Sequence, residues 1–295
     1  MARRKRTTAQ DRADARRRKK ELKAHKAAFE YKLVQLIADK TARIDAIPDE
    51  AWDDAEANEP LDEQAPRVVY DSSVAMFAEA RDWQAAVDNL SDVGRLVHLA
   101  GRMDSVDEEQ IRTELLRIRR TAYESELSVQ AGRVGCEGQR GMLTSGPSLS
   151  ALNDMSAKDA ASVINTYNYT LATRIQAVRD ETPRANRHTY AKRLGDFMNT
   201  KTTDKSSVAA GYADSTARSM AQQDFYSFNA SLMGSARLEP LDAVCPICIG
   251  WINRGDVPMN VALNNPSPYH PRCVHLWVTN PQKVPKDECK NLWMG

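Results

Sequence analysis

Two pairs of metal-ligand side chains stand near the carboxyl end of the chain. The first is Cys245-Pro246-Ile247-Cys248 and the second is His270-Pro271-Arg272-Cys273, with 21 residues between them. Zinc takes four thiolate or imidazole ligands in a tetrahedron, and two ligands spaced by two residues can bend around one ion. The spacing therefore predicts a closed structural zinc site formed by Cys245, Cys248, His270 and Cys273, without an open position for a catalytic water.

Two further side chains could replace one of these four zinc ligands. His275 lies two residues after Cys273 and is an alternative ligand, and Cys289 is a further competitor. Two other interpretations of the pairs also remain: buried reduced thiols that act as small apolar side chains, and a redox CxxC motif. The redox interpretation is the weaker one because no βαβ pattern surrounds the motif.

The residues around these pairs are poor in helical pattern and rich in proline. Residues 236–295 hold eight of the chain's 13 prolines and three of its five tryptophans, Trp251, Trp277 and Trp293. Such a segment forms only short strands and turns. A structural zinc ion contributes an apparent ~10–16 kcal/mol in small domains at neutral pH, which is enough to fold it. We therefore expect 236–295 to be a small α+β module cross-linked by zinc, with the tryptophans as its apolar shell.

The rest of the chain carries apolar residues at three- and four-residue steps, which is typical of helices. Helices are predicted from Glu21 to Pro48 and over 72–98, 107–131, 156–180, 183–199 and 214–233, with a polar loop at 200–207. The last helix should bury Ala217, Ala221, Phe225, Phe228 and Leu232. The predicted fold class is mainly α, with elongated helical N-terminal and middle regions followed by the small α+β module.

Glycine concentrates between two of these helical regions. Residues 132–146 contain five of the chain's 13 glycines and lead into a serine-rich stretch. Glycine raises the entropy cost of ordering the backbone, which is typical of a linker. The expected organisation is a disordered basic arm (1–26), a helical region (27–131), a Gly/Ser-rich linker (132–155), a second helical region (156–235) and the zinc-knuckle module (236–295).

The formal net charge of +1 hides two oppositely charged segments. Residues 1–26 hold 12 Lys and Arg against three acids, whereas 45–63 hold nine acids and no base. Blocks of like charge repel themselves and stay solvated, which favours a disordered arm that binds phosphate through counterion release. The predicted contacts to nucleic acid or another acidic partner are Arg3, Arg4, Lys5, Arg6, Arg16, Arg17, Arg18, Lys19 and Lys20. A solvated tail that binds nothing and a tail that pairs with 45–63 remain as alternatives.

Several classes of protein are disfavoured. The longest apolar-leaning run without charge, Ala243 to Asn253, is about half of the ~20 residues that a membrane-spanning helix needs. A signal peptide requires an apolar segment after its first basic residues, and this sequence has none there. Five cysteines in a long chain argue against a disulfide scaffold. Nucleotide-binding and nucleophile-elbow motifs are missing, so we expect neither catalysis nor a small-molecule substrate.

The two ligand pairs and their neighbours resemble the C-terminal signature of the phage Mu F-like minor head proteins, the head-morphogenesis proteins of tailed phages. The family pattern is an Asp shortly before C-P-x-C, a Gly-containing loop, and a closing P-x-H-P-x-C. Here Asp242 precedes Cys245, Gly250 follows Cys248, and Pro268-Tyr269-His270-Pro271-Arg272-Cys273 forms the close. The resemblance covers about residues 213–278.

Two departures from the family pattern are visible. An A-R-T-E-like element in the preceding helix reads Ala217-Arg218-Ser219-Met220, without the Glu. The final Cys-Arg-Cys of the family reads Cys273-Val274-His275 here, which makes His275 a substitute zinc ligand.

The resemblance implies a structural minor head protein inside the virion, present in the host cytoplasm during assembly. It would contact the portal protein, the inner capsid or scaffold surface and packaged DNA, and would act in procapsid assembly, DNA packaging or genome delivery. The alternative is a zinc-containing DNA-binding protein or nuclease. A nuclease needs an open metal position, and a groove-reading module needs more bases than Arg254 and Arg272 between Cys245 and Cys273.

Overall fold

Helices dominate the computed structural model, which describes residues 9–58, 83–141, 143, 147–239, 246–268 and 275–295, with the side chains of 202–205 left out. The helices are α1 Ala9–Asp45, α2 Asp49–Ala57, α3 Trp83–Asp88, α4 Asp92–Gly101, α5 Ser105–Arg133, α6 Pro147–Glu181, α7 Arg187–Phe228, α8 Pro246–Arg254 and α9 Met259–Leu263. The predicted mainly helical fold is therefore confirmed.

A small antiparallel sheet lies in the carboxyl-terminal region, as predicted. Its strands are β1 Ser235–Glu239, β2 Val257–Pro258 and β3 Leu276–Asn280, in the order β2-β1-β3. In the register of β1 with β3, Leu238 lies opposite Trp277. The sheet and the short helices α8 and α9 form the observed α+β part of the chain.

The chain divides into two compact units. The described residues of unit 1 come from Met1–Ala28, Glu114–Ser156 and Ser207–Gly295, and those of unit 2 from Phe29–Thr113 and Ala157–Ser206. Each of α1, α5, α6 and α7 contributes a segment to both units. This division differs from the sequence-based boundaries, because the predicted linker 132–155 lies within unit 1.

The described part of the glycine-rich stretch, residues 132–141, ends α5 and forms a turn after it. It leaves α5 through Gly135, whose φ of +93° is a conformation that favours glycine. At Gly141 a Cβ atom would lie 2.6 Å from the Cβ of Leu127 and 2.7 Å from the carbonyl oxygen of Glu124. Glycine is therefore needed here for close packing, which composition alone does not distinguish from flexibility.

The apolar spacing predicted the buried faces of two long helices correctly. In unit 2, Phe29, Leu33, Leu36, Ile37 and Ile44 of α1 are all buried. The inward residues predicted for α5 are buried as well, namely Ile111, Leu115, Ile118, Ala122 and Val129.

Three helix boundaries differ from the predictions. Residues 200–207, predicted as a loop, are helical within α7, because polar side chains do not interrupt a helix when Pro and Gly are absent. The helix predicted to begin at Ser156 begins at Pro147. The helix predicted over 72–98 ends at Asp88 in its described part, and α4 starts anew after Ser91, whose Oγ accepts a hydrogen bond from the Gly94 N–H (3.1 Å). The first part of that prediction, 72–82, lies outside the described residues.

A disulfide joins Cys136, in the turn after α5, to Cys289 in the carboxyl-terminal segment. The two cysteines are 153 residues apart in sequence, so local spacing gives no sign of their pairing. The sequence argument against a disulfide scaffold did not anticipate this bond, and the suggestion that Cys289 competes for zinc is wrong. In the described part of the chain, every helix is too short or too polar to span a membrane.

Candidate metal and nucleic-acid-binding sites

Only some of the predicted zinc ligands belong to the residues that the structure describes. Cys245, His270 and Cys273 lie outside the described residues, whereas Cys248 and the alternative ligand His275 are described. Among the described side chains, no group of three or more His, Cys, Asp or Glu is arranged to hold a metal ion. Zinc binding therefore stays a prediction.

Cys248 belongs to the core of unit 1. It lies in the first turn of α8, which packs against β1, and its side chain is 0 % exposed. Its neighbours along the helix, Ile247 and Ile249, are 54 % and 46 % exposed, because successive residues of a helix point about 100° apart. The thiol of the CPxC motif is thus directed inward while its flanking isoleucines face solvent.

Two of the three predicted shell tryptophans meet beside α8. The rings of Trp251 and Trp277 are 5.4 Å apart in an edge-to-face arrangement, and the Arg254 guanidinium lies 4.4 Å from the centre of the Trp251 ring. Trp293 instead stacks on Phe228, with ring centres 4.4 Å apart. All three tryptophans belong to or pack against the same core of unit 1, and a shell around zinc stays a prediction.

His275 directly precedes β3 and is 1 % exposed. Because Leu276 pairs with Glu239, the last residue of β1, His275 lies just beyond the paired part of the two strands. The described donors are thus one thiol and one imidazole, both shielded from water. These are the ligand types that structural zinc uses, so the residues present fit the ion chemically.

The predicted disordered arm is helical in its described part. Residues 9–26 form the beginning of α1, while Arg3, Arg4, Lys5 and Arg6 lie outside the described residues. Of the other predicted contacts, Arg16, Arg17, Lys19 and Lys20 are exposed. Arg18 is only 3 % exposed, so its assignment as a nucleic-acid contact is wrong.

Four of the exposed cations of α1 form a stripe along one side of the helix. Arg12, Arg16, Lys19 and Lys23 recur at four- and three-residue steps, and all four are exposed. At 1.5 Å per residue these positions extend over about 16 Å of helix. We call these four residues the basic stripe.

The opposite side of the same helix segment is charged and buried. Asp11, Arg18 and His25 are spaced by seven residues and are 6 %, 3 % and 5 % exposed. Since a seven-residue step returns to the same side of a helix, the three side chains share one inward face. This face holds the predicted arm in place.

Arg18 is paired with Glu126 of α5. Its Nε donates to Glu126 Oε2 at 2.8 Å and its Nη2 donates to Oε1. Glu126 Oε1 also accepts hydrogen bonds from the side-chain amides of Gln130 (2.5 Å) and Gln222 (2.8 Å). Burial opposes ionisation of Glu126, but the charges and hydrogen bonds of Arg18, together with Arg218 and Gln222, outweigh it and lower the pKa of Glu126 to about 2.

Arg218, the arginine of the A-R-T-E-like element, lies in the same buried cluster. Its Nε donates to Asp214 Oδ2 at 2.8 Å, and its Nη2 donates to Glu21 Oε2 at 2.7 Å. His25 Nδ1 lies 2.8 Å from Asp214 Oδ1. Burial alone would lower the pKa of Arg218, but Asp214, Glu126 and Glu21 raise it, so its charge is permanent.

The cluster also ties α1 to the sheet. Arg133 at the end of α5 donates through Nη1 to Asp11 Oδ1 (3.0 Å) and to the carbonyl oxygen of Thr279 in β3 (2.7 Å). Arg237 of β1 donates to Asp11 Oδ2 at 2.9 Å. Asp11 is therefore linked to β1 by a partly exposed ion pair and to β3 through Arg133, which donates to a backbone carbonyl of that strand.

Sequence reasoning missed this cluster because it searched for apolar periodicity. The signal that could have found it is the seven-residue spacing of Asp11, Arg18 and His25, which follows the same helical period as the apolar residues later in α1. The chain matches none of the protein-family models, curated proteins or solved structures with which it was compared.

Proposed function

We propose that this chain is a structural minor head protein of a tailed bacteriophage, acting in procapsid assembly, DNA packaging or genome delivery. The observation that carries the proposal is the Mu F-like signature in a short-stranded module where two of its donor residues, Cys248 and His275, are buried. A structural zinc site uses four thiolate or imidazole ligands, and Cys248 and His275 supply one donor of each type. The proposed partners are the portal protein and the inner capsid or scaffold surface.

Zinc is the proposed ion of this module. Cys245, Cys248, His270 and Cys273 would hold it, with His275 as the alternative ligand. The ion would supply a cross-link between segments that are distant in sequence and rich in proline. The role of Cys248 is to present a thiolate from the first turn of α8, inside the core of unit 1.

The basic stripe is the proposed contact to packaged DNA. Arg12, Arg16, Lys19 and Lys23 face solvent on a helix that is fixed from behind by the Arg18–Glu126 pair. A stripe of this kind binds phosphates without reading bases, which suits a protein that meets any sequence inside a head.

Mass spectrometry of purified particles tests the proposal. DNA-filled heads of the phage that encodes this chain should contain it in few copies, together with zinc in equal amount. Heads assembled from a genome with a stop codon early in its gene are the matched control and should lack both the protein and that zinc. Absence of the chain from complete particles contradicts the proposal.

The same basic stripe also supports the alternative of a DNA-binding protein or nuclease. A plasmid-nicking assay distinguishes the nuclease from the structural protein. The purified protein is incubated with supercoiled plasmid and Mg²⁺, Mn²⁺ or Zn²⁺. Nicking by the wild type that is lost in Cys248→Ser favours the nuclease over the structural protein. Intact plasmid at every metal concentration removes the nuclease.

A further inference from the structure

The carboxyl-terminal residues 281–295, which we call the strap, follow β3 across unit 1. No residue of the strap is fully buried, and its only described regular element is the short 3-10 turn Cys289–Asn291. Segments with little burial open at low cost in free energy. Val284, Leu292, Trp293 and Met294 pack partly buried against the core of unit 1, and the strap depends on these contacts together with a few hydrogen bonds.

The first part of the strap covers the end of α5. The Val284 N–H donates to the carbonyl oxygen of Val134 at 2.7 Å, and Lys283 Nζ donates to the carbonyl oxygen of Arg133 at 2.6 Å. These carbonyls belong to the last turn of a helix or follow it, where a cation is favoured by the helix dipole. The strap thus caps α5.

The last part of the strap covers the end of α7. The Trp293 N–H donates to Asn229 Oδ1 at 3.2 Å, and Asn229 Nδ2 donates to the carbonyl oxygen of Trp293 at 3.3 Å. The indole of Trp293 stacks on Phe228, the last residue of α7, which remains 63 % exposed. This contact is small and lies at the surface.

The disulfide between Cys136 and Cys289 joins the strap to the turn after α5, between these two sets of contacts. Cys136 is 2 % exposed, whereas residues 285–288 just before Cys289 are exposed and Cys289 itself is partly exposed. One side of the bond is therefore open to a reductant from solvent. The covalent link raises the effective concentration of the strap at its binding surface.

We propose that the Cys136–Cys289 disulfide is a redox-controlled latch that holds the strap over the ends of α5 and α7. A dithiol reductant attacks Cys289 Sγ as a thiolate, the Sγ–Sγ bond breaks, and Cys136 leaves as a thiolate that takes up a proton. The second thiol of the reductant then displaces Cys289, which also takes up a proton, and the reductant becomes a disulfide. Two electrons pass from the reductant to the protein, and the strap is released.

Limited trypsin digestion of the full-length protein tests the latch. The strap carries Lys290 as a cleavage site, and exposed Arg184, in the turn between α6 and α7, serves as an internal control for protease activity. The wild type is digested with and without tris(2-carboxyethyl)phosphine, which reduces the bond while water supplies the oxygen of the phosphine oxide. All samples are fully reduced after digestion is stopped and before their masses are read, so that peptides held only by the disulfide are counted as released.

Reduction should raise the rate of cleavage after Lys290 about tenfold and leave cleavage after Arg184 unchanged. Cys289→Ser, at a partly exposed position, should be cleaved at the fast rate with or without the phosphine. Equal rates for the oxidised and reduced wild type overturn the proposal. The proposal is also overturned if Cys136 and Cys289 both remain thiols after treatment with oxidised glutathione, as measured by mass spectrometry without reduction.

Discussion

Arg18 donates two hydrogen bonds to the carboxylate of Glu126, and the two side chains are 3 % and 0 % exposed. This arginine lies in the most basic part of the chain, where sequence alone assigns it to a solvated arm. Its pairing instead docks the described part of the arm as a helix, and the cations that face solvent there are Arg12, Arg16, Arg17, Lys19, Lys20 and Lys23.

Removal of one partner of this pair should destabilise unit 1 strongly. Arg18→Met leaves the carboxylate of Glu126 buried without its main cation, which typically costs about 3–5 kcal/mol. Arg16→Met is the matched control, because it is the same substitution on the exposed side of α1 and should change the free energy of unfolding by less than about 0.5 kcal/mol. Urea unfolding measures both, and equal losses contradict the pairing.

A double-mutant cycle separates the pair from its surroundings. Arg18→Met with Glu126→Met should be less destabilised than the sum of the single variants by about 1–3 kcal/mol, because no buried charge is left without a partner. Part of the loss should remain, since the amides of Gln130 and Gln222 also donate to Glu126. Strict additivity of the two substitutions argues against direct coupling.

Acid should destabilise unit 1 through Glu126. Its pKa is about 2 in the folded state, below the ~4.3 of an unperturbed glutamate. The contribution of the carboxylate is therefore complete above about pH 5 and is lost as the pH falls toward 2, on the order of 3 kcal/mol in total. The pKa values of Glu21 and Asp214 are also lowered, so they act in the same direction.

Urea unfolding between pH 7 and pH 3 measures this dependence. Glu126→Met should make the free energy of unfolding less dependent on pH. Glu239→Gln should still lose stability in acid, because burial raises the pKa of Glu239, and its own contribution to stability is lost as the pH rises instead of as it falls. A wild-type stability that does not change over this range contradicts the lowered pKa.

Alanine at Arg12, Arg16, Lys19 and Lys23 should weaken binding to duplex DNA of any sequence. Each phosphate contact contributes about 0.9 to the slope of log affinity against log salt, so loss of the stripe should reduce that slope by up to about 3.6. Fluorescence anisotropy with a labelled duplex at several salt concentrations gives both quantities.

The control for the stripe removes the same number of charges elsewhere. It carries alanine at four exposed cations that are spread along the chain, namely Arg95, Arg140, Lys158 and Lys286. This variant should keep most of the affinity and slope. Equal losses in the two variants assign the binding to net charge instead of the stripe.

The purified protein should carry about one zinc per chain. Cys248→Ser should lose it, because the hydroxyl is a poor ligand where a thiolate is needed. Cys289→Ser should keep it, since Cys289 pairs with Cys136. Native mass spectrometry with metal analysis measures the zinc content, and a wild type that is folded without metal contradicts the site.

Apolar spacing predicted the parts of the fold that apolar burial stabilises. Phe29 and Ile37 of α1 and Ile118 of α5 are buried as their spacing indicates. The same spacing predicts burial of Phe228, but this residue is 63 % exposed, because its ring stacks on Trp293 at the surface instead of entering the core. The strap that brings Trp293 there has no periodic pattern of its own.

Polar interactions over long sequence distances are the part that sequence reasoning missed. Ser156, where the sequence predicts a helix to begin, lies inside α6, and its Oγ donates to the carbonyl oxygen of Leu152 and accepts a hydrogen bond from buried Arg119. Arg18 finds its partner 108 residues away. Which charges meet in a core depends on how the helices pack, and that is not written in local spacing.

The charged inner face of α1 makes its first segment unusual among core helices. Between Asp11 and His25, a stretch that is described throughout, no large apolar side chain is buried. This segment docks on α5 and α7 through charge pairs and hydrogen bonds, with Leu22 half-buried beside them. The amino-terminal helix is thus held in place by polar contacts, whose strength depends on the protonation state of the carboxylates.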